Sequence, residues 1–491
     1  MKKEINLIEN PNAIKEFIDS KEAEKTSHLT ISGEITEEDY GALIDFYNNF
    51  RFVESPLEYL NMRDAFFVSK GEIRKEYFSL AFIHSLNNLK EFVFPKNLKT
   101  IPKAIFHFSH NLSKITLPEN LERIESFGLE CPKVTKIKLP ETLKVIEDSA
   151  FDSMGIKKIF IPDSVETIIG QPFSECKNLE EIIVSPENKR FSVIDGVLFS
   201  KDKKKLLAVP PALKQKNYKV PVGTKIIAEG SFYSFLGESV ILPDTVKTIE
   251  PRVFYYCYNL ERIEIPDSVT HIGIFMCHMC GELKYVRLSE SITKIDEVLF
   301  INCTMDTLKL PDNIKYVRPN SFSHVIGLKE IQLTDQNPNY KVVDGSLYSK
   351  DMKRIICAPD GKINNRFRIC EGVEVLSGIY MQTHITKAVL PDSIKKIEQN
   401  TFYGCRDLIS VSFGKNIETI YYDAFMDCDK LSEFRITAPK PPKIVKTKRG
   451  ITDQPFWCDL DFKKLTVYVS KSSVETYKNA KYWKESTIKE L

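Results

Sequence analysis

The sequence predicts an α/β repeat fold. We expect a right-handed solenoid whose short strands form a parallel sheet over about 14 coils, with two hairpin-like insertions. Two observations lead to it. Pro95, Pro118, Pro140 and Pro162 recur at spacings of 23, 22 and 22 residues. The units also share the consensus LxxIxLPxxLxxIxxxAFxxCxx. One unit holds too few apolar residues to enclose a core, so stacked units must bury it together.

The consensus dictates a strand followed by a turn. Ile263 and Ile265 lie two positions apart, so they share one face of a short strand, while Arg262 and Glu264 flank Ile263 on the outward side. Pro266 has no N–H and ends the strand. In the second half of each unit, a small Ala beside a large Phe lets the backbone turn closely while the ring fills the coil.

Cysteine recurs three residues after the Phe, and Cys131 lies one residue beyond that slot. A repeated slot forms a column along the solenoid, where a free thiol packs as a small buried apolar group. The odd total of 11 cysteines argues against a complete set of intrachain disulfides. We therefore expect reduced structural thiols at Cys176, Cys257, Cys280, Cys303, Cys405 and Cys428.

The period divides the chain into an array at 61–438 and two predicted caps. Residues 1–60 combine a helical segment, a strand at Leu29–Gly33 and a second helix opening at Thr36. Residues 439–491 combine three prolines, a basic loop, a strand and a short helix.

The array carries two similar insertions, at about 185–221 and about 334–372. Each contains a β-branched run, an Asp-Gly pair, an apolar run and a Lys/Asp turn, which predict a hairpin or a small meander. Such insertions often carry binding loops, and a structural role is the equally open alternative.

The repeat unit, the insertion and the C-terminal segment are similar to those of a known protein family. The repeat unit resembles the BspA-like, or Treponema pallidum type, leucine-rich repeats, and the segment Asp195–Asp202 is similar to their usual interruption. The ending Tyr468–Trp483 is similar to the C-terminus of such proteins from Bacteroides-like bacteria. The resemblance implies a leucine-rich-repeat solenoid that is secreted or displayed on the cell surface and binds host, matrix or microbial proteins.

Composition and motifs exclude several other classes. The 69 Lys and Arg balance 67 Asp and Glu to a net charge of +2, so no global field draws the chain to nucleic acid or to an anionic membrane. No apolar stretch is long enough for a membrane span, and no secretory signal follows Met1. Walker, GxSxG, HExxH and GxGxxG motifs are absent, so we expect neither enzymatic activity nor a cofactor.

The densest set of potential metal ligands is Cys277, His278 and Cys280, with His271 nearby. A zinc site would need these groups to converge in tetrahedral geometry. In repeat register, however, Cys280 takes the cysteine slot and Cys277 takes the phenylalanine region. We therefore expect a packed thiol pair here and no metal. His107 and His110 are interpreted as ordinary turn residues.

The outward strand positions are the candidate binding surface. Early coils present a lysine strip with apolar neighbours, which we hypothesise contacts an acidic protein or a polyanionic glycan; a merely solvated lysine face is the alternative. The candidate partner-binding residues are Lys114, Lys136, Lys138, Lys158, Phe160, Ile183, Arg262, Tyr285 and Arg287.

The sequence thus predicts a monomeric, non-catalytic protein-binding solenoid that acts in cell-surface or extracellular adhesion. An intracellular scaffold that uses the same face is the first alternative, favoured by the free thiols and the leaderless N-terminus. A glycan-binding module is the second. It ranks lower because glycan sites usually need exposed aromatic platforms, and the outward slots hold few aromatic residues besides Phe160 and Tyr285.

Overall fold

A computed structural model describes residues 1–48, 55–69, 72–73, 86–107, 109–295, 298–319, 321–322, 324–325, 327–359, 369–379, 385–446 and 461–491. The chain divides into two compact units. The first comprises Met1–Glu238 with Thr248–Tyr258, and the second comprises Ser239–Lys247 with Asn259–Leu491.

The first unit begins with a short helix, Ala13–Asp19, and a longer helix, Glu37–Asn48. The longer helix starts at a reciprocal cap, because the Asp39 N–H donates to Thr36 Oγ1 at 3.2 Å and the Thr36 N–H donates to Asp39 Oδ2 at 3.0 Å. The parallel strand His28–Ile35 runs between the two helices. A further strand, Lys2–Asn6, precedes the first helix and pairs in parallel with His28–Ile35.

Short strands follow one another along the first unit, and successive coils pair them in parallel except within the insertion and at the Ala65–Ser69 hairpin. One set contains the strands that lie within LxxIxL segments, together with the N-terminal strands of the same ladder and the hairpin attached to it. These strands are Lys2–Asn6, His28–Ile35, Tyr59–Asn61, Ala65–Ser69, Glu72–Ile73, Glu91–Val93, Lys114–Thr116, Lys158–Ile161, Glu181–Val184 and Asn217–Lys219. The other set lies in the second half of the repeat, after the proline or at the phenylalanine. These strands are Thr100–Ile101, Arg123–Ile124, Val145–Ile146, Thr167–Ile168, Ile226–Ile227, Thr248–Ile249 and Phe254–Tyr255.

The second unit repeats the same scheme. Its strands in LxxIxL segments, with the two that end the chain, are Ser239–Ile241, Arg262–Glu264, Tyr285–Arg287, Thr307–Lys309, Glu330–Gln332, Lys387–Val389, Ser410–Phe413, Glu433–Ile436, Thr466–Val469 and Thr487–Glu490. The remaining strands of the repeat are His271–Ile272, Cys277–His278, Lys294–Ile295, Phe300–Cys303, Tyr316–Val317, His324–Val325, Val375–Leu376, Lys396–Ile397, Thr419–Tyr421 and Lys443–Val445.

Both insertions are three-stranded antiparallel meanders, as predicted. Their strands are Phe191–Ile194, Val197–Ser200 and Lys205–Ala208 in the first unit, and Tyr340–Val343, Ser346–Ser349 and Ile355–Cys357 in the second.

The Asp-Gly pairs form the tight turns of these meanders. Asp195 and Gly196 have φ angles of 49° and 80°, the left-handed pair that a two-residue hairpin turn requires. The Gly196 and Gly345 carbonyls each accept a backbone N–H of the preceding coil at 2.9 Å, so both meanders continue the stack.

One buried asparagine anchors each meander. Asn188 Nδ2 donates to the Pro162 and Val165 carbonyls at 2.9 and 3.0 Å, and its Oδ1 accepts the Arg190 and Phe191 N–H groups at 2.8 Å each. Asn337 also makes four bonds in the second insertion, donating to the Asp312 and Ile314 carbonyls and accepting the Asn339 and Tyr340 N–H groups. One side chain thus satisfies backbone groups on two coils where the period is interrupted.

Apolar residues of successive coils form one buried cluster from Ile5 to Ala208 in the first unit and another from Tyr348 to Trp483 in the second. The described residues make about 19 turns, against about 14 predicted, because strands in both terminal segments also join the parallel ladder. Among these residues α-helix is confined to the first 48 positions and to Val474–Lys478, so the helical part of the α/β class is small.

The last turns close over a buried aromatic pair. Trp483 Nε1 donates to the Pro442 carbonyl at 3.0 Å, and the Tyr477 hydroxyl donates to the Ala438 carbonyl at 3.1 Å. Their ring centroids lie 5.5 Å apart in an edge-to-face arrangement. The predicted basic loop at 446–449 lies largely outside the described residues. The division into cap, array and cap stays a prediction.

Candidate functional site: the outward strand face

The LxxIxL strands place alternate side chains outside, as the repeat predicts. Ile159 is buried while Lys158 and Phe160 are exposed, and the same alternation holds at Arg262, Ile263 and Glu264. Each unit therefore presents a surface made of the two residues that flank the central aliphatic one. All the predicted partner-binding residues are exposed on this surface except Arg287, which is half-buried.

The lysine strip is less uniform than the sequence suggests. Lys114 Nζ lies 2.6 Å from Glu91, and Lys158 Nζ lies 2.5 Å from Glu181, each on a neighbouring coil. These carboxylates hydrogen-bond to the ammonium groups and raise the pKa of both lysines. The four lysines of the strip are therefore not equivalent, because carboxylates of neighbouring coils neutralise Lys114 and Lys158.

Lys136 and Lys138 are the exceptions. Both are exposed, and neither has an ion-pair partner among the residues that the structure describes. They lie between the paired lysines in repeat order, at the centre of the strip.

The ladder of paired strands is also interrupted at this coil. Lys114–Thr116 and Lys158–Ile161 are strands, but in the described chain no strand includes residues 134–139, and Ile137 is only half-buried. Lys136 stands between Lys114 and Lys158 in the register, and like charges that face each other across strands weaken pairing. The interruption of the ladder is consistent with that repulsion.

Two apolar side chains complete this region. Phe160 and Ile183 are directly paired across adjacent parallel strands, and 45% and 38% of their respective surfaces are exposed. The structure thus places Lys158 beside the apolar pair Phe160 and Ile183. Glu181 belongs to the same group.

The second unit holds the other three predicted residues together. The Arg262 guanidinium lies 4.3 Å from the centroid of the Tyr285 ring and also pairs with Glu264. Arg287 contacts both carboxylate oxygens of Asp267 at 2.9 Å. Arg262 and Arg287, with their carboxylate partners Glu264 and Asp267, line a hollow of about 620 Å³.

Sequence reasoning missed a group of stacked tyrosine rings on neighbouring coils. In the first unit Tyr233 stacks on Tyr255 at 5.3 Å and Tyr256 stacks on Tyr258 at 5.8 Å. Lys177 Nζ lies 5.8 Å from the Tyr258 centroid. The signal was available, since Tyr233 and Tyr255 each directly follow the phenylalanine of their unit, a slot that stacking brings into a column.

The cysteine-histidine cluster forms no ligand set. Cys277 and Cys280 are both buried, and Cys277 is paired in register with Phe300 of the next coil. Burial lowers the pKa of His278. No group of three or more metal-binding side chains occurs in the described parts of the chain. His107 is more than a plain turn residue, because its Nδ1 lies 2.7 Å from Glu130.

None of the helices in the described segments is long and apolar enough to cross a membrane. No curated protein matches the chain.

Solved structures with a similar arrangement include three bacterial leucine-rich repeat proteins. A leucine-rich repeat protein of Eubacterium ventriosum is 20% identical with a TM-score of 0.45, and the match covers 88% of this chain and 93% of that one. One from Bacteroides ovatus is 20% identical with a TM-score of 0.34, covering 82% and 84%. A leucine rich cell surface protein of Faecalibacterium prausnitzii is 17% identical with a TM-score of 0.33, covering 84% and 79%.

The repeat itself gives the clearest relationship. The model of the BspA type leucine rich repeat region matches in six copies over residues 75–204, 212–339 and 374–447, which is more than half of the sequence. The chain belongs to the BspA-type leucine-rich-repeat family.

Proposed function

We propose that this chain is a non-catalytic protein-binding solenoid that recognises an acidic partner at the cell surface or outside the cell. The observation that carries the proposal is the pair Lys136 and Lys138, exposed and without ion-pair partners in the described structure, in a face whose neighbouring lysines are neutralised. A cation without a local counter-ion is available to a partner's carboxylate.

The apolar pair beside the lysines supports this proposal. Protein interfaces combine an apolar centre with a polar rim, and Phe160 with Ile183 supplies the first while the lysines supply the second. Arg262, Tyr285 and Arg287 are proposed as a second contact region, since arginine and tyrosine are enriched among the residues that dominate interface energies.

The test is a double charge reversal. The purified chain and its Lys136→Glu/Lys138→Glu variant are measured by biolayer interferometry against a panel of immobilised extracellular-matrix and bacterial surface proteins. We expect the affinity for the bound partner to fall by roughly tenfold or more, because two attractive contacts become repulsive.

Lys309→Glu/Lys387→Glu is the matched control, since these exposed lysines occupy outward strand slots of the second unit. The control is expected to bind like the wild type. Equal losses in both variants, an unaffected double reversal, or no binding anywhere on the panel would contradict the proposal.

A further inference from the structure

A second surface of the first unit lies in the segments just after the prolines. The residues that follow Pro95, Pro118, Pro140 and Pro162 in four successive coils line a hollow of about 680 Å³, which we name the post-proline hollow. Small-ligand sites occupy about 300–1,000 Å³. The size therefore suits a small molecule or a short oligomer.

The hollow is held in shape by the coils themselves. Across adjacent coils the Lys144 N–H donates to the Glu122 carbonyl at 2.8 Å, and the Glu166 N–H donates to the Lys144 carbonyl at 2.9 Å. The Thr142 hydroxyl donates to the Leu121 carbonyl at 2.8 Å. The backbone beneath the hollow is thus fixed before any ligand arrives, which lowers the cost of ordering it on binding.

The lining is rich in hydrogen-bonding groups of both kinds. Asn97 and Asn120 bring amides, Thr142 and Ser164 bring hydroxyls, and Phe66 adds an aromatic ring. The amides both donate and accept hydrogen bonds, so they can pair with the hydroxyl groups of a ligand.

The charges in the hollow do not favour a polyanion. Glu122 accepts hydrogen bonds from both Lys99 and Lys144, so the cations are already engaged. Glu141 and Glu166 add two exposed carboxylates and would repel a negative ligand. Their oxygens can accept pairs of hydroxyl groups.

We propose that the post-proline hollow binds a neutral oligosaccharide. Amides and carboxylates meet the ligand's many hydroxyl groups, while the Phe66 ring packs against an apolar sugar face. The site is separate from Lys136 and Lys138 and does not rest on the function proposed for them.

The test uses the full chain, fluorescently labelled, on a microarray of neutral, sialylated and sulfated oligosaccharides. We expect neutral glycans to bind and their signal to fall at least tenfold in Asn120→Ala and in Glu141→Ala, two exposed positions whose change leaves the core untouched. Phe66→Leu, which keeps the apolar bulk and removes the ring, is expected to lose at least fivefold.

Asn313→Ala is the matched control, because Asn313 is exposed two residues after Pro311, as Asn120 is after Pro118. It should bind like the wild type. Absence of neutral-glycan binding overturns the proposal, as do binding to acidic glycans alone or equal binding by all hollow variants. Lys136→Glu/Lys138→Glu must leave glycan binding unchanged.

Discussion

Cysteine fills its repeat slot because a thiol can do two things there at once. It packs in the core, and it donates to a backbone carbonyl of the preceding coil. Cys176 Sγ lies 3.0 Å from the Phe151 carbonyl, Cys257 makes the same contact with Phe232, and Cys428 makes it with Phe402. Alanine would pack but leave these buried carbonyls without that donor. The sequence predicted the buried column, while the hydrogen bond required coordinates.

Burial also determines thiol reactivity. It raises the pKa of Cys357 to about 12 and that of Cys176 well above its ordinary value, so both stay protonated at pH 8. In the native chain at pH 8, we expect both to be alkylated by iodoacetamide at least about 100-fold more slowly than in denaturant.

Peptide mapping by mass spectrometry measures this labelling site by site. Cys370, which is half-buried, is the internal comparison and should react before Cys176 does. Rapid native labelling of Cys176 would show that the column opens easily and would contradict a tightly packed stack.

At the scale of one coil, the turn around the phenylalanine requires left-handed backbone at two slots. Ser149 and Ser153 flank Phe151 with φ angles of 56° and 57°. Arg252 and Tyr256 flank Phe254 with 56° and 58°. Non-glycine residues pay about 1–2 kcal/mol in this region. The sequence did not reveal these slots, because glycine fills them in only a few units and leaves the pattern hidden.

These slots predict opposite outcomes for two alanine-to-glycine changes. Ala104 has a φ of 55°, whereas Ala150 is buried in the adjacent slot with an ordinary backbone. Ala104→Gly should leave stability unchanged or raise it by up to about 1 kcal/mol, since relief of the left-handed cost offsets the added unfolded-state entropy. Ala150→Gly should lower stability by about 1 kcal/mol.

Urea denaturation followed by circular dichroism measures both changes under identical conditions. The order of midpoints is the readout, with Ala104→Gly at or above the wild type and Ala150→Gly below it. Equal losses in the two variants would mean that the left-handed geometry at position 104 carries no strain.

Many of the opposite charges on the surface form ion pairs between neighbouring coils. Lys329 pairs with Asp306 at 2.9 Å and Lys430 pairs with Asp407 at 2.6 Å, each one coil back. Each exposed pair contributes little to stability. Their repetition nevertheless decides which charges remain available, and this is why Lys136 and Lys138 differ from Lys114. The sequence predicted which residues face outward, but pairing depends on side chains about 23 positions apart.

Over the whole molecule, periodicity made the solenoid and both meanders predictable, because each unit repeats the same buried and exposed choices. The candidate sites were harder to predict from the sequence. Arg262, Tyr285 and Arg287 follow directly from the strand alternation. The post-proline hollow combines Phe66 with polar residues of four later coils, and no local pattern signals that combination.

Surface display is the whole-molecule prediction that separates adhesion from an intracellular scaffold. A membrane-impermeant amine-reactive biotin ester, applied to intact source cells, should label this chain, because lysines such as Lys214 and Lys464 have 86% and 80% of their side-chain surfaces exposed. Lysine labelling is preferable to protease digestion here, since a closely hydrogen-bonded solenoid resists cleavage while folded. Streptavidin capture and immunodetection give the readout, with a cytosolic enzyme of the same cells as the lysis control. Labelling of this chain without the control enzyme supports recognition outside the cell. Labelling only after lysis would overturn the surface part of the proposal and leave the intracellular scaffold, with the same Lys136 and Lys138 face, as the function to test.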